Sequence, residues 1–198
     1  MTLRLGLTGS IGMGKTTVAR MFADENVPVF DADEVVHRLQ GPEGALVADI
    51  EAAFPGTTSL NGVDRVTLAE RVLGEPDKLR RLEMLIHPAV ARERDSFLAA
   101  HSEAPVVVLD IPLLFEKGGW NLVDKVAVVS APADVQRSRV LARPGMTAEK
   151  FDRILALQLP DSEKRARADF VIATGGSMDE TRASVRRILA CLSAAKDS

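Results

Sequence analysis

Apolar residues along this chain fall into short, nearly unbroken runs, and segments of helical spacing lie between them. Leu3-Arg4-Leu5-Gly6-Leu7-Thr8 is the first run and Val27-Pro28-Val29-Phe30 the second. Pro105–Ile111, Lys125–Ser130 and Asp169–Ala173 complete the series. Runs rich in Val, Ile and Leu suit strands buried on both faces. After the first run, Val18, Ala19, Met21, Phe22 and Ala23 recur at helical spacing. Strands alternating with helices predict an α/β fold: a five-stranded parallel sheet with helices on both faces and right-handed crossovers.

The spacing of the runs is uneven, and this sets the expected domain organisation. Residues 34–100 separate the second run from the third and carry several helical patterns. One follows the Gly41-Pro42-Glu43-Gly44 break, another starts near Val63-Asp64-Arg65, and the longest spans Glu75 to Ala100. Pro88 falls inside the longest, and proline is best placed at a helix start, so this helix is expected to divide at His87. A second, arginine-rich insertion occupies residues 137–165. The expected core is therefore residues 1–33, 101–136 and 166–198, with a helical insertion over 34–100 and a lid over 137–165. Insertions placed after strands lie over the carboxyl ends of the sheet, where open α/β folds bind ligands.

The first strand runs into Gly9-Ser10-Ile11-Gly12-Met13-Gly14-Lys15-Thr16-Thr17, which fits the phosphate-loop pattern G-x-x-x-x-G-K-[ST] between a strand and a helix. The order has a physical reason. Gly9, Gly12 and Gly14 let the backbone turn and bring N–H groups up to phosphate oxygens. The helix that follows adds its unpaired N–H groups and the positive end of its dipole. Lys15 supplies a charge for the β- and γ-phosphates, and the Thr16 hydroxyl is placed to bind Mg²⁺. The stretch from Gly12 to Thr17 is thus the expected site for a nucleoside triphosphate.

Composition narrows the partners. The chain has 198 residues and a net charge of −3, so a broad nucleic-acid surface is not expected. Its single cysteine, Cys191, excludes an internal disulfide, and no Cys/His cluster has the spacing of a zinc site. The longest apolar stretch, Val106–Phe115, contains Asp110 and Pro112 and is too short to span a bilayer. The first strand begins at once, without a signal-peptide pattern. A cytoplasmic protein with no membrane partner is the expectation. Oligomeric state has no signature in the sequence.

Three further groups of residues bear on chemistry. Asp31 is suited to cap the helix that follows, with Glu34 completing a capping box. Asp33 then falls in the first turn, beyond the end of a strand, where a carboxylate can take the proton of a hydroxyl aimed at a γ-phosphate. Asp110 ends the apolar strand Val106–Leu109, the position from which phosphate-loop enzymes hold Mg²⁺; a strand-end cap is the competing reading. Leu113 and Phe115, just beyond, suit either a substrate wall or the core. Arg139 and Arg143 lie four apart on one helix face, where arginines are either solvated or poised to stabilise a transferring phosphoryl group. Pro144-Gly145 supplies a break after them.

Taken together, these residues resemble the dephospho-coenzyme A kinase family from end to end. The resemblance is carried by Leu7–Thr17, Asp31-Ala32-Asp33, Ile86-His87-Pro88 and Asp110-Ile111-Pro112-Leu113-Leu114-Phe115-Glu116. It continues through the Gln136…Arg139…Arg143 series, Arg153…Gln158 and Ala168-Asp169-Phe170-Val171-Ile172. The phosphate loop is widespread, but its combination with D-A-D, H-P and P-L-L-F-E in this order is selective. The resemblance implies a P-loop kinase fold and Mg²⁺-assisted transfer from ATP to the ribose 3′-hydroxyl of dephospho-coenzyme A. It implies that Asp33 activates the hydroxyl, Lys15 holds the phosphates and Arg139 reaches in from the lid. Gly12, Met13, Gly14, Thr16, Thr17 and Arg143 would join in ATP binding, and Thr16 and Asp110 would serve the metal. Thr8, His87, Leu113 and Phe115 match positions near the acceptor, His87 standing at the family's H-P position. One departure is visible: Ala173-Thr174-Gly175-Gly176 stands where the family commonly has an asparagine, and Thr offers no paired amide donor and acceptor.

Other classes fit less well. A switch GTPase requires N-K-x-D and D-x-x-G motifs, and Asp110 is followed by Ile-Pro-Leu instead. A nucleotide-binding module without chemistry leaves Asp33 and the arginine-rich insertion unexplained. Within kinases, a nucleoside or nucleoside-monophosphate kinase is the alternative, sharing the core and differing over the acceptor.

Overall fold

The computed structural model of the protein describes residues 2–194. It divides into two compact units, one formed by the chain up to Phe30 and from His101 onwards, the other by Asp31–Ala100. Residues 1 and 195–198, counted in the expected core, lie outside the described residues.

The first unit is built on strands β1 (Leu3–Thr8), β2 (Val29–Asp31), β5 (Val106–Asp110), β6 (Lys125–Ser130) and β7 (Phe170–Ala173), in the order β2-β5-β1-β6-β7. β1 pairs in parallel with both β5 and β6, and β6 with β7. Alternation along the strands covers both faces. Leu5, Leu7, Val106, Val108, Ala127, Val129 and Ile172 join helices α1 (Lys15–Asp24) and α9 (Met178–Ala194) in one cluster. Val126 and Val128 face the other way, into a cluster with Leu114 against which Ile111, Phe115 and Val123 pack. Asp169 fastens β7 to β6 by accepting from the Val126 N–H and Lys125 Nζ, both at 2.8 Å.

The second strand begins two residues later than the apolar run. α1 ends with Asn26 in the left-handed region, φ +61°. The N–H groups of Asn26 and Val27 donate back to the Ala23 and Phe22 carbonyls, at 2.9 and 3.1 Å. This is a Schellman arrangement, and it uses the N–H that Val27 would otherwise offer a strand.

The second unit holds α2 (Ala32–Leu39), α3 (Val47–Ala53), α4 (Arg65–Val72) and α5 (Pro76–Ala100), with α5 packed against the other three. Asp31 caps α2, its carboxylate accepting from the Glu34 N–H at 3.0 Å. Two expectations fail here. Helix α5 does not divide at His87 but continues through Pro88 to Ala100. Proline removes one donor, and the carbonyl it would have bonded belongs to Met84, a residue that is 75% exposed. Leu82 and Ala89, buried on either side of Pro88, anchor both halves of the helix. The insertion is also not purely helical, because β3 (Thr58–Ser59) and β4 (Gly62–Val63) form a small antiparallel hairpin. Strands of two residues are too short to show a period in sequence.

Among the described residues, no helix is long and apolar enough to cross a membrane.

Candidate active site

The loop leaving β1 needs glycine for two separate reasons. Gly12 and Gly14 sit at φ +79° and +90°, where a side chain is strained. Gly9 instead lies against β6: a Cβ there would stand 2.7 Å from the Val129 carbonyl oxygen. The loop is thus packed onto the sheet, and Gly14 caps α1, whose first N–H groups have no partner within the helix. Thr16 and Thr17 are exposed at that start. The Met13 side chain is buried in the core, and its sulfur accepts from the Ala131 N–H at 3.1 Å, leaving its backbone to the loop.

Lys15 Nζ donates to Asp110 Oδ1 and forms an ion pair with it. Asp110 is 1% exposed, so the carboxylate that ends β5 is held against the lysine of the loop rather than capping a helix. Thr8 is fully buried and donates from Oγ1 to the Pro112 carbonyl at 2.9 Å, tying the end of β1 to the loop after β5. Leu113 is half-buried in that loop, and Phe115 packs against the cluster around Leu114. His87 lies exposed in the second unit, in the interior of α5. Asp33 is exposed in the first turn of α2.

Helices α6 (Ala133–Leu141), α7 (Ala148–Ala156) and α8 (Asp161–Ala166) form the arginine-rich segment, with Gly145 at φ +73° between the first two. A recess of about 200 Å³ brings together Gly12, Gly14, Thr17, Arg139, Arg143 and Thr174. Arg139 donates from Nη1 to Thr174 Oγ1 at 3.2 Å and from Nη2 to the Thr174 carbonyl at 2.7 Å. The same hydroxyl donates to the Met13 carbonyl at 2.6 Å. Thr174 therefore links Arg139 to the phosphate loop.

Several contributors were not singled out as site residues from sequence. Gln136 Nε2 donates to the Ile11 carbonyl at 2.7 Å, and the Ile11 N–H donates to Gln158 Oε1 at 3.1 Å. The peptides on either side of Ile11 are thus held by side chains bracketing α7. Glu116 accepts from the Leu159 N–H at 2.8 Å and pairs with Lys164 Nζ at 2.8 Å. Burial pushes the Glu116 carboxyl up, but bonds from Lys164 and Leu159 outweigh it and hold it below its ordinary value. Gln136, Gln158 and Glu116 stand in family motifs, but the role of each depends on a partner distant in sequence.

A phosphate loop, a strand-end aspartate paired with its lysine and an arginine helix over a parallel sheet define a P-loop kinase. The dephospho-CoA kinase family model (CoaE) matches residues 3–180, and the chain belongs to that family. The dephospho-CoA kinase of Novosphingobium aromaticivorans is 62% identical over 185 residues, spanning 93% of this chain and 92% of its own. Among solved structures, TT1252 from Thermus thermophilus superposes with a TM-score of 0.85 at 34% identity, over 96% of this chain and 98% of its own. Dephospho-CoA kinase from Campylobacter jejuni shares the fold, with a TM-score of 0.66 at 23% identity, over 96% of this chain and 97% of its own.

Proposed function

We propose that this protein transfers the γ-phosphoryl group of ATP to the ribose 3′-hydroxyl of dephospho-coenzyme A, giving coenzyme A and ADP, the last step of coenzyme A synthesis. The observation that carries this reading is the Lys15–Asp110 pair beside a glycine loop, in a chain of this family. A nucleoside or nucleoside-monophosphate kinase is not favoured, because the family match extends through the whole insertion that would meet the acceptor.

The residues divide the work as follows. Gly12 to Thr17 bind the triphosphate through backbone N–H groups, and Lys15 moves from Asp110 to the phosphate oxygens as they arrive. Asp33 accepts the proton of the 3′-hydroxyl while its oxygen forms the new bond to the γ-phosphorus. The bond from that phosphorus to the bridging oxygen breaks, and its electron pair leaves with ADP. Arg139 and Arg143 offset charge on the transferring group. The Thr16 hydroxyl and the Asp110 carboxylate are hard oxygen donors of the type Mg²⁺ accepts, and together with phosphate oxygens they would hold it. Bound there, Mg²⁺ offsets the charge developing between the β- and γ-phosphates. Residues 34–100 are the proposed acceptor-binding insertion and residues 137–165 the proposed lid.

The test is to incubate the protein with ATP, Mg²⁺ and either dephospho-coenzyme A or a panel of nucleosides and nucleoside monophosphates. ADP should form fastest with dephospho-coenzyme A. Rapid ADP release with a nucleoside monophosphate and none with dephospho-coenzyme A would overturn the reading.

A further inference from the structure

The second unit carries a cleft of about 690 Å³ whose lining includes Glu34, His37, Arg38, Gln40, Asn61 and Arg65. Its walls are fixed by backbone. The Val63 N–H donates to the Gln40 carbonyl at 2.8 Å, and Gly62, at φ +91°, lies so close to Gln40 and Gly41 that no Cβ fits. Asp64 caps α4 by accepting from the Val66 and Thr67 N–H groups at 3.1 and 3.2 Å, which fixes Arg65 as the first residue of that helix.

The charges in the cleft are unevenly matched. Arg38 is paired with Glu93 at 2.5 Å. Arg65, by contrast, donates from Nη1 to His37 Nδ1 at 2.9 Å, and among the described residues no carboxylate stands within ion-pair distance of it. Since His37 accepts at Nδ1, a neutral imidazole there carries its proton on Nε2 and is itself a donor. The pair therefore presents a full positive charge and several unused N–H groups, with Glu34 the single carboxylate of the lining. This is a donor set for an anion with several oxygens.

Its position selects which anion. Asp33 and His37 are four residues apart on α2 and share a face, one turn or about 5–6 Å along the helix. A ribose spans a similar length from its 3′-oxygen to the phosphorus on its 5′-oxygen. We propose that Arg65 and His37 form the subsite that grips the 5′-diphosphate of the acceptor nucleotide, one helical turn from the carboxylate that receives the 3′-proton. This assignment rests on the acceptor proposed above. It makes the pair a specificity device: an acceptor lacking the diphosphate forfeits the guanidinium contact.

Arg65→Gln, Arg65→Lys and His37→Gln should each be compared with the unaltered protein in steady-state assays. Arg65→Gln should raise KM for dephospho-coenzyme A about 10- to 100-fold, the loss expected for a charged hydrogen bond, with kcat and KM for ATP within about twofold. Arg65→Lys, retaining charge without the planar fork, should fall between. The salt dependence of kcat/KM for dephospho-coenzyme A should also become shallower in Arg65→Gln, a readout that a purely structural role would not move. An unchanged KM for dephospho-coenzyme A, or a parallel loss in KM for ATP and kcat, would overturn the subsite. Failure of the unaltered protein to phosphorylate dephospho-coenzyme A would instead overturn the underlying reaction.

Discussion

Glu116→Gln provides a severe test of how the arginine-rich segment is held. Lys164 is 0% exposed and the Glu116 side chain 14%, so the pair at 2.8 Å is largely shielded from water. The substitution keeps shape but removes the charge, leaving a buried ammonium without compensation. Breaking such a pair from one side costs about 3–5 kcal/mol, far more than the pair's own net worth. The Leu159 N–H also exchanges a charged acceptor for a neutral one, about 1 kcal/mol more. In a chain of this size the melting temperature should therefore fall by roughly 8–24 °C. Urea denaturation followed by circular dichroism measures the free energy, and Lys164→Met added to Glu116→Gln should restore much of the loss by removing the orphaned charge. The pH dependence has a defined sign. The folded Glu116 carboxyl titrates below its ordinary value of 4.5, so its stabilisation is complete above that value and is lost as pH falls through the lowered one. The unaltered protein should lose this increment in acid, and Glu116→Gln should not. A single-mutant cost under about 1 kcal/mol, or a double mutant as unstable as the sum of the singles, would refute the argument.

Other outcomes follow from the site. Asp33→Asn should lower kcat by about 10²–10⁴-fold while ATP binding, measured by calorimetry, survives; near-normal turnover would remove Asp33 from its role. Lys15→Ala should lose nucleotide binding and turnover together, and an unchanged ATP dissociation constant would contradict its placement. Thr174→Val, which removes the hydroxyl between Met13 and Arg139, should cost about 1–3 kcal/mol of stability in urea titrations, because the Met13 carbonyl loses its donor.

The sheet was largely legible because its strands are short apolar runs covered on both faces, a pattern that survives in a single sequence. Pro88 was misread because the cost of a mid-helix proline depends on its surroundings, and that Met84 lies on an exposed face is a property of the fold. Thr174 was noticed as a departure, but its service to Arg139 and Met13 requires contacts across long stretches of chain. Glu116 and Lys164 stand in one motif and one unremarkable helix, and nothing in their spacing announces that they meet. Motif chemistry is written locally; the groups that hold it in position are not.

The backbone N–H and carbonyl of Ile11 are gripped from both ends of a single excursion of the chain, by Gln136 on entry and Gln158 on return. Mechanically, this ties both ends of the proposed lid to the phosphate loop. While both bonds last, any motion of that segment is confined to the residues between the two glutamines, with Arg139 close to the fixed point and Gly145 and α7 further along. A small rotation at the base would then sweep the tip widely while Arg139 barely moves. Under the proposed function, opening for nucleotide would fall to the outer part of the segment, and Arg139 would stay in register with the loop.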